Sequence, residues 1–334
     1  MAGPTGLAFF ISVTTPFSYH RAVSSDDAAR HLAEPGAVAL GGGTDLLVSI
    51  AEEIVRPQTL VDLRGIPNGA GGTITELADG SVRIDASVSL AALARNQLIR
   101  ERFGVLAQAC DAVGTPALRN SGTLGGNLCQ RPRCWYFRRG VSCLKSGGIS
   151  CPAFAGENQY LAILDGGPCY AVHPSDPAVA LAAVDAVVEI ASMNRLQRVP
   201  MSEFYILPGH RADRETVLEQ DEFVSAVILP VAAAGGAQHY HKLMQREAWD
   251  FALVSIAGCK RQNGDVRIVM GGVAPRPWRV NTSIEEDVSS GGLDDDVIET
   301  LAERALYDAR PLSKNGYKVD LAGSLLRQVI RELA

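Results

Sequence analysis

The stretch Asn120-Ser-Gly-Thr-Leu-Gly-Gly-Asn127 opens an unusual part of the sequence, which runs on to His173-Pro-Ser-Asp176. From Ala112 to Gly156 there is no Asp or Glu, although six Arg and Lys residues fall there. The whole chain is acidic, with a formal charge of -6. Between the two motifs lie five of the seven cysteines, Cys129, Cys134, Cys143, Cys151 and Cys169. A basic, cysteine-rich segment in an acidic chain needs a chemical explanation.

Length and composition are typical of a globular enzyme. A chain of 334 residues predicts two or three folding units, and 47% hydrophobic with 20% charged residues is ordinary. The negative charge argues against general binding of nucleic acid or anionic membranes. No window approaches about 18 uninterrupted apolar residues, so we expect no membrane-spanning helix. Residues 1–13 are interpreted as an extension and not a signal peptide, which leaves a cytoplasmic location, or a periplasmic one reached with an exported partner.

Hydrophobic periodicity predicts mixed strands and helices, followed by a separate α+β part. Short strands are expected at 17–19, 37–40, 60–63, 187–191 and 222–229, with a hairpin around Asp79-Gly80. Helices are expected at 26–34, capped by Ser25, and at 46–54, 90–99, 105–113 and 178–184. The Ala- and Gly-rich run 231–238 marks a boundary. Beyond it we expect strands at 239–245, 252–260 and 266–273 and helices at 295–306 and 319–333.

Two glycine-rich turns indicate phosphate binding. Leu40-Gly-Gly-Gly-Thr-Asp45 lies between a predicted strand and a helix, where glycines let backbone N–H groups approach an anion. It has neither the P-loop ending nor the Rossmann spacing, and alone it is equally compatible with a turn that binds nothing. The second turn, Gly122-Thr-Leu-Gly-Gly-Asn127, offers a hydroxyl and exposed backbone, and two such turns suit a dinucleotide. The Asp176 carboxylate could accept a hydrogen bond from a ribose hydroxyl. From the residues alone, however, the role of helix N-cap is favoured for Asp176.

The cysteines predict a metal centre more readily than a disulfide framework. The spacing Cys134-x8-Cys143-x7-Cys151-x17-Cys169 is neither a zinc-ribbon nor a ferredoxin pattern. The surrounding basic residues and glycines favour an iron–sulfur cluster, because a buried anionic cluster needs nearby cations or N–H groups. A structural zinc ion, and free or disulfide-bonded thiols, are alternatives at this point.

Other candidate metal ligands receive simpler interpretations. Cys110 and Cys259 lie in apolar surroundings and are expected to be core thiols, while Cys129 has no place in a set of four. His239 and His241 alternate on a predicted strand, so they face the same side and could form a metal pair. No third ligand is near them in sequence, so we do not expect metal there.

Together these motifs resemble the FAD-binding subunit of the xanthine dehydrogenase/molybdenum hydroxylase family. Ala39–Leu47 is similar to the first flavin loop of that family and Thr123–Asn127 to the second. His173–Asp176 is similar to the stretch that holds a flavin-contacting aspartate, and the similarity continues through Val224 and Lys242. It covers nearly the whole chain from about residue 17.

The resemblance implies an α+β fold with a two-subdomain FAD-binding domain of the PCMH/vanillyl-alcohol-oxidase type and a C-terminal domain of the CO dehydrogenase flavoprotein type. The FAD-binding domain would span 14–230, with subdomains at about 14–70 and 71–230, and the C-terminal domain 236–334. The implied FAD contacts are Ala39, Leu40, Gly41, Gly42, Gly43, Thr44, Asp45, Leu46, Leu47, Ser121, Thr123, Gly125, Gly126, Asn127, Asp176, Val224 and Lys242.

The cysteine segment, about 129–170, is an insert that most members of the family lack. It resembles the branch of bacterial aldehyde oxidoreductases, including periplasmic ones, whose flavin subunit also holds a [4Fe–4S] cluster. Cys129 falls outside the matching positions. The implied cluster ligands are Cys134, Cys143, Cys151 and Cys169.

The resemblance further implies an electron-transfer subunit of a heterotrimeric enzyme. A large partner subunit with a molybdenum cofactor would oxidise an aldehyde, and a small partner would carry two [2Fe–2S] clusters. This chain would pass their electrons through FAD to an external acceptor. The sequence offers no acid–base pair for substrate chemistry, so no catalytic residue is assigned. One alternative is the same module in a hydroxylase for purines or N-heterocycles, and another is a zinc-stabilised binding module without redox function.

Overall fold

The computed structural model describes residues 16–66, 71–246 and 249–334. The predicted extension, residues 1–13, lies outside these ranges. Among the described residues, no helix is long and apolar enough to cross a membrane.

The first sheet is small and parallel. The chain forms, in order, β1 (Ser18–Arg21), α1 (Ser25–Leu32), β2 (Ala37–Leu40), α2 (Leu46–Ala51) and β3 (Thr59–Asp62). β3 is central, so Leu60 pairs with Tyr19 on one side and Val38 on the other. The predicted cap of α1 is wrong by one residue, because the Ser24 hydroxyl accepts the Asp27 N–H and caps the helix.

The second sheet is antiparallel. Its strands, in spatial order, are β4 (Ile74–Glu76), β5 (Val82–Asp85), β8 (Phe223–Leu229), β6 (Val187–Ser192) and β7 (Arg195–Pro200). The predicted hairpin is confirmed, since β4 and β5 pair with Thr75 opposite Arg83. Phe223 packs in one apolar cluster with Leu32 and Val61, so the first two sheets share part of their core.

Short helices fill the chain between β5 and β8. They are α3 (Leu90–Arg95), α4 (Gln97–Arg102), α5 (Gly104–Asp111), α6 (Pro116–Ser121), α7 (Leu124–Leu128), α8 (Trp135–Arg138), α9 (Asp176–Ala183) and α10 (Met201–Phe204). The predicted helix 90–99 is divided at Asn96, whose backbone is extended and whose side chain accepts the Ile99 N–H to cap α4. Cys110 and Cys259 are buried in the main core, so their prediction as core thiols is confirmed.

The third sheet forms the C-terminal part. Its elements are β9 (Ala237–Leu243), β10 (Val254–Lys260), β11 (Val266–Gly271), β12 (Trp278–Arg279), α11 (Thr282–Ser290), α12 (Asp295–Ala305) and α13 (Tyr317–Leu333), with the antiparallel order β12-β11-β10-β9. α13 covers one face, where a Cβ on Gly258 would lie 2.4 Å from the Val329 side chain. α9 covers the other, where a Cβ on Gly271 would lie 2.5 Å from Val179. All residues of α9 except Ala182 are buried.

A buried lysine attaches α13 to the chain next to the cysteine insert. Lys318 has no exposed surface, and its Nζ donates to the carbonyls of Tyr160, Leu161 and Gly272 at 3.3, 3.1 and 2.5 Å. The three N–H donors of an ammonium group match three carbonyl acceptors. Burial lowers the pKa of Lys318 to about 7.

We expect Lys318→Met to lower the melting temperature by several degrees. The substitution leaves three carbonyls without their donor, at a cost of about 1–3 kcal/mol, and each kcal/mol shifts the melting temperature of a protein of 150–250 residues by roughly 2–4 °C. Differential scanning fluorimetry measures the change. Lys314→Met is the control, because Lys314 pairs with Glu157 on the exposed surface and should change stability by less than about 0.5 kcal/mol.

The pH dependence provides a second readout for the same variant. Because the pKa of Lys318 is lowered on folding, the unfolded chain binds more protons than the native protein above about pH 7. The wild type should therefore gain stability relative to Lys318→Met as the pH rises above 7. Equal losses in the Lys318 and Lys314 variants would contradict this account.

Candidate functional site

The fold brings the two glycine-rich turns into contact. A Cβ atom on Gly42 would lie 1.9 Å from the Ser121 carbonyl oxygen, and one on Gly41 would lie 2.7 Å from Thr123 Oγ1. Non-bonded atoms cannot approach so closely, so only glycine allows this contact. The second turn is held in place because Thr123 Oγ1 accepts the Gly126 N–H at 3.2 Å and caps α7.

Two cavities open beside this contact, and Gly126 lines both. We call them the Val224 cavity and the Lys242 cavity. Other predicted FAD contacts that line the Val224 cavity are Ala39, Gly41, Thr123, Gly125 and Val224. Those that line the Lys242 cavity are Thr44, Asp45, Asn127, Asp176 and Lys242.

Four further predicted contacts shape the first turn without lining these cavities. Leu40 and Leu46 pack in a small apolar cluster under it. Gly43 has a φ of 74°, which favours glycine, and the half-exposed Leu47 lies against it. The first turn is therefore fixed by its own packing before any ligand is considered.

Asp176 lies in a buried polar network between α9 and β9. Its carboxylate accepts from Lys242 Nζ at 2.8 Å and from the Tyr240 hydroxyl at 2.6 Å. Burial raises the pKa of Asp176, and the Lys242 ammonium and the Tyr240 hydroxyl oppose that rise. The N-cap interpretation is wrong, because the Ser175 hydroxyl accepts the Ala178 N–H and caps α9. The Asp176 carboxylate instead holds the ammonium group of Lys242, a residue that lines the Lys242 cavity.

The four cysteines predicted as cluster ligands come together. One small cavity is lined by Cys134, Cys143, Cys151 and Cys169, although these residues are widely spaced in sequence. Cys129 lies elsewhere, on the wall of the Val224 cavity. All seven cysteines are free, so the disulfide alternative is wrong.

The separation of the cysteine sulfurs can be compared with the geometry of a zinc site. A tetrahedral zinc ion with Zn–S bonds of about 2.3 Å brings its sulfur ligands within about 4 Å of one another. In the part of the chain that the structure describes, no three cysteine sulfurs lie within 4.8 Å of one another. A cluster of irons and sulfides is larger than one ion and keeps its cysteine sulfurs farther apart. The four cysteines therefore share a cavity but lack the close packing of a preformed tetrahedral zinc site.

Asp45 attaches the cysteine insert to the first glycine turn. Its carboxylate contacts Arg133 Nη1 and Arg138 Nη2, each at 2.7 Å, and accepts the Arg131 backbone N–H at 2.8 Å. Arg138 also donates to Ser49 Oγ at 2.8 Å. Burial lowers the pKa of Arg133 to about 10, and Asp45 opposes that shift.

Glu215, in the loop before β8, holds the insert from a second direction. Its carboxylate contacts Lys145 Nζ and Arg131 Nε, each at 2.7 Å, and Lys145 is almost fully buried. Most basic side chains of the insert are thus paired with carboxylates outside it. These pairings attach the insert to the FAD-binding part. Lys145 also lines the cysteine cavity, and its positive charge opposes the rise that burial causes in the pKa of Cys169.

A third cavity lies between the cysteine cavity and the Lys242 cavity. Cys134 lines both the third cavity and the cysteine cavity, and Asp176 lines both the third cavity and the Lys242 cavity. His173 lies on its wall, and burial lowers the pKa of that imidazole to about 3. The cysteine and glycine-turn sites are therefore adjacent.

Sequence reasoning missed three residues of this region. Tyr240 could have been found, because it lies two residues before Lys242 on a strand and so faces the same side. His173 belongs to a motif that was recognised for its aspartate alone. Glu215 lies in an irregular loop far in sequence from its partners Arg131 and Lys145, and no sequence pattern indicates its role.

Two family profiles match the chain. The FAD binding domain in molybdopterin dehydrogenase matches residues 15–232. The chain belongs to this family. The CO dehydrogenase flavoprotein C-terminal domain matches residues 239–333. This chain is thus the FAD-binding subunit of an oxidoreductase of the molybdenum hydroxylase type, as its motifs predicted.

Individual relatives match this chain over nearly its full length. The aldehyde oxidoreductase FAD-binding subunit PaoB of Escherichia coli K12 is 36% identical over 95% of this chain and 98% of its own. The putative xanthine dehydrogenase FAD-binding subunit XdhB of the same organism is 27% identical over 94% and 95%. The solved carbon monoxide dehydrogenase of Hydrogenophaga pseudoflava gives a TM-score of 0.73 at 22% identity, covering 95% of this chain and 96% of that chain. The predicted fold class is confirmed.

We expect Asp45→Asn to loosen the insert. The variant leaves the partly buried Arg133 and Arg138 without a counter-charge, at a cost of about 1–3 kcal/mol, so amide hydrogen exchange at residues 131–138 should accelerate roughly tenfold. Mass spectrometry of exchanged peptides measures this.

Glu52→Gln is the matched control, because the Glu52 carboxylate is half-exposed and 3.8 Å from Arg138. It should leave the exchange of this segment nearly unchanged. Unaltered exchange in Asp45→Asn would remove Asp45 from its role as the attachment point.

Proposed function

We propose that this chain is the FAD- and [4Fe–4S]-containing electron-transfer subunit of a heterotrimeric, molybdenum-dependent aldehyde oxidoreductase. The observation that carries the proposal is the convergence of four cysteines in a cavity that only one further cavity separates from the Lys242 cavity. Membership of an FAD-binding family accounts for the glycine turns, and the insert adds a second redox centre beside them.

The residues that would hold FAD are grouped around the contact between the two turns. The glycine backbone at Gly41, Gly125 and Gly126 is open to a pyrophosphate. The Val224 cavity would take the adenosine side, and the Lys242 cavity the flavin ring beside the Lys242 ammonium. Bound FAD accepts single electrons and releases pairs, so the protein's task is to position and tune it.

The cluster ligands would be Cys134, Cys143, Cys151 and Cys169. Burial raises the pKa of Cys134, and the backbone N–H groups of Phe137 and Tyr136 oppose this rise. Such N–H groups stabilise anionic sulfur. At Cys169 the nearby Lys145 ammonium acts in the same direction, because it opposes the rise that burial causes in the pKa of that thiol.

The aldehyde assignment is supported by the relatives. Identity is 36% to the aldehyde oxidoreductase subunit against 27% to the xanthine dehydrogenase subunit. A large molybdenum cofactor partner would oxidise the aldehyde, and a small partner with two [2Fe–2S] clusters would deliver electrons to this chain for an external acceptor. A hydroxylase for purines or N-heterocycles is the second candidate, because one relative is a xanthine dehydrogenase subunit. A substrate screen of the purified complex distinguishes the aldehyde oxidoreductase from this hydroxylase.

We expect Gly42→Ala to abolish most FAD binding. The added Cβ would lie 1.9 Å from the Ser121 carbonyl oxygen, so the two turns must separate and the shared pyrophosphate site is lost. The flavin absorbance per chain should fall at least tenfold. Gly209→Ala is the control, since nothing lies within 4 Å of its added Cβ. Full flavin content in Gly42→Ala would refute the placement of the pyrophosphate.

We expect Cys134→Ser to lower the iron content by about one four-iron cluster and to remove the broad visible absorption of that cluster. Cys129→Ser is the matched control, because Cys129 lies outside the cysteine cavity, and it should retain all iron. Iron and zinc analysis with a visible spectrum measures both. A wild-type protein that holds zinc here in place of iron would reject the redox assignment.

A further inference from the structure

Three potential metal ligands converge away from the flavin and cysteine sites. His239 and His241 lie on β9, and Glu332 lies in the last turn of α13. Glu332 Oε2 is 2.7 Å from His241 Nε2 and 3.6 Å from His239 Nδ1, and the ligand atoms of all three residues lie within 4.8 Å of one another. The third ligand is remote in sequence, and the fold supplies it.

We propose that His239, His241 and Glu332 bind one divalent transition-metal ion of the zinc class. Zinc bonds of about 2.0–2.2 Å to nitrogen and oxygen place neighbouring ligand atoms roughly 3–3.5 Å apart. The two separations from Glu332 Oε2, 2.7 and 3.6 Å, fall on either side of that range. Imidazole and carboxylate together favour Zn²⁺, Ni²⁺ or Cu²⁺ over Mg²⁺ or Ca²⁺. Three protein ligands leave a coordination position for water.

The ligands are held in place before any metal arrives. The two imidazole planes are nearly parallel, at 3°, because alternate residues of a strand project to the same side. Gln328, one turn before Glu332 in α13, donates to Glu332 Oε1 at 3.1 Å, and its amide nitrogen also lies 3.4 Å from His241 Nε2. Outer contacts of this kind orient metal ligands.

The charge around Glu332 also suits a cation. Burial acts to raise the pKa of Glu332, but hydrogen bonds from His241 and Gln328 outweigh it and keep the pKa below its usual value. Throughout the described ranges, no lysine or arginine forms an ion pair with this carboxylate, whose ion-pair contacts are His239 and His241. Its negative charge is therefore available to a metal ion.

A second cluster, His20, Asp27 and His31, provides an internal comparison. Its ligand atoms are also close, but Asp27 already accepts the Val23 N–H at 3.0 Å and contacts Arg30 at 3.4 Å. Its two carboxylate oxygens face different histidines, at 2.9 and 3.6 Å. A carboxylate occupied by these donors is a poorer ligand, so we use this cluster as the control.

The bound ion would fasten the end of α13 to β9. Lys318 anchors the beginning of the same helix, so the metal would fix its opposite end. This role is independent of electron transfer, and it predicts an effect on stability with no change in flavin or iron content.

The test uses the untagged, fully assembled complex, freed of loosely bound metal with a chelator and checked for unchanged iron. Titration with Zn²⁺ should show one ion per chain at this site, with a Kd of about 10 µM or lower. His241→Gln should abolish this binding, and Glu332→Gln should weaken it at least tenfold. His20→Gln should leave it intact. Zn²⁺ should raise the melting temperature of the wild type and His20→Gln but not of His241→Gln.

A second measurement guards against indirect effects. Cu²⁺ added to the oxidised complex should give an electron paramagnetic resonance spectrum with nitrogen coupling from two imidazoles, and this spectrum should be lost in His241→Gln. Flavin content, iron content and the metal-free melting temperature establish that each variant is folded. Zinc that persists in His241→Gln, zinc lost in His20→Gln alone, or no binding below about 100 µM would overturn the proposal.

Discussion

The ion pairs of Asp45 with two arginines determine how the two candidate sites lie relative to each other. Asp45 ends the first glycine turn, and Arg133 directly precedes Cys134 in sequence. One carboxylate thus connects the backbone that would face a pyrophosphate to a residue adjacent to a cysteine of the cysteine cavity. The apolar cores lie elsewhere, under the sheets and around α9. The two sites are therefore joined by a polar contact, and a shift of either segment moves the other.

Much of the fold was readable from the sequence because its signals are local. Glycine turns, the Asp-Gly hairpin and amphipathic helices depend on residues a few positions apart, and these were predicted nearly in place. β7 escaped prediction because it is mostly exposed and polar, so its apolar periodicity is weak. The division of the helix at Asn96 also escaped, since the apolar pattern continues through a residue that caps the next helix. β7 forms because it pairs with β6, so tertiary context overrides a weak local pattern. The break at Asn96 comes from a local cap, which the apolar pattern does not reveal.

For the candidate sites, the sequence shows which charged residues and cysteines are present but not how they pair. The sequence reveals a surplus of positive charge near the cysteines, but it does not reveal which carboxylate neutralises each cation. Glu215 comes from an irregular loop, and Glu332 comes from a helix far from the histidines that it meets. These pairings depend on how sheets and helices pack, so they become visible only in three dimensions. The sequence indicated candidate ligands, and the fold showed which residues lie beside them.

The contact of Lys318 with Leu161 also has a consequence for biogenesis. Leu161 lines the cysteine cavity, and its carbonyl is held by a donor in α13. On the ribosome the cysteines emerge long before that helix does. A nascent chain that already contains all four cysteines still lacks Lys318, whose Nζ holds the Leu161 carbonyl at the wall of the cysteine cavity. The wall of the cysteine cavity at Leu161 is therefore fixed only late in translation, well after the four cysteines have been synthesised.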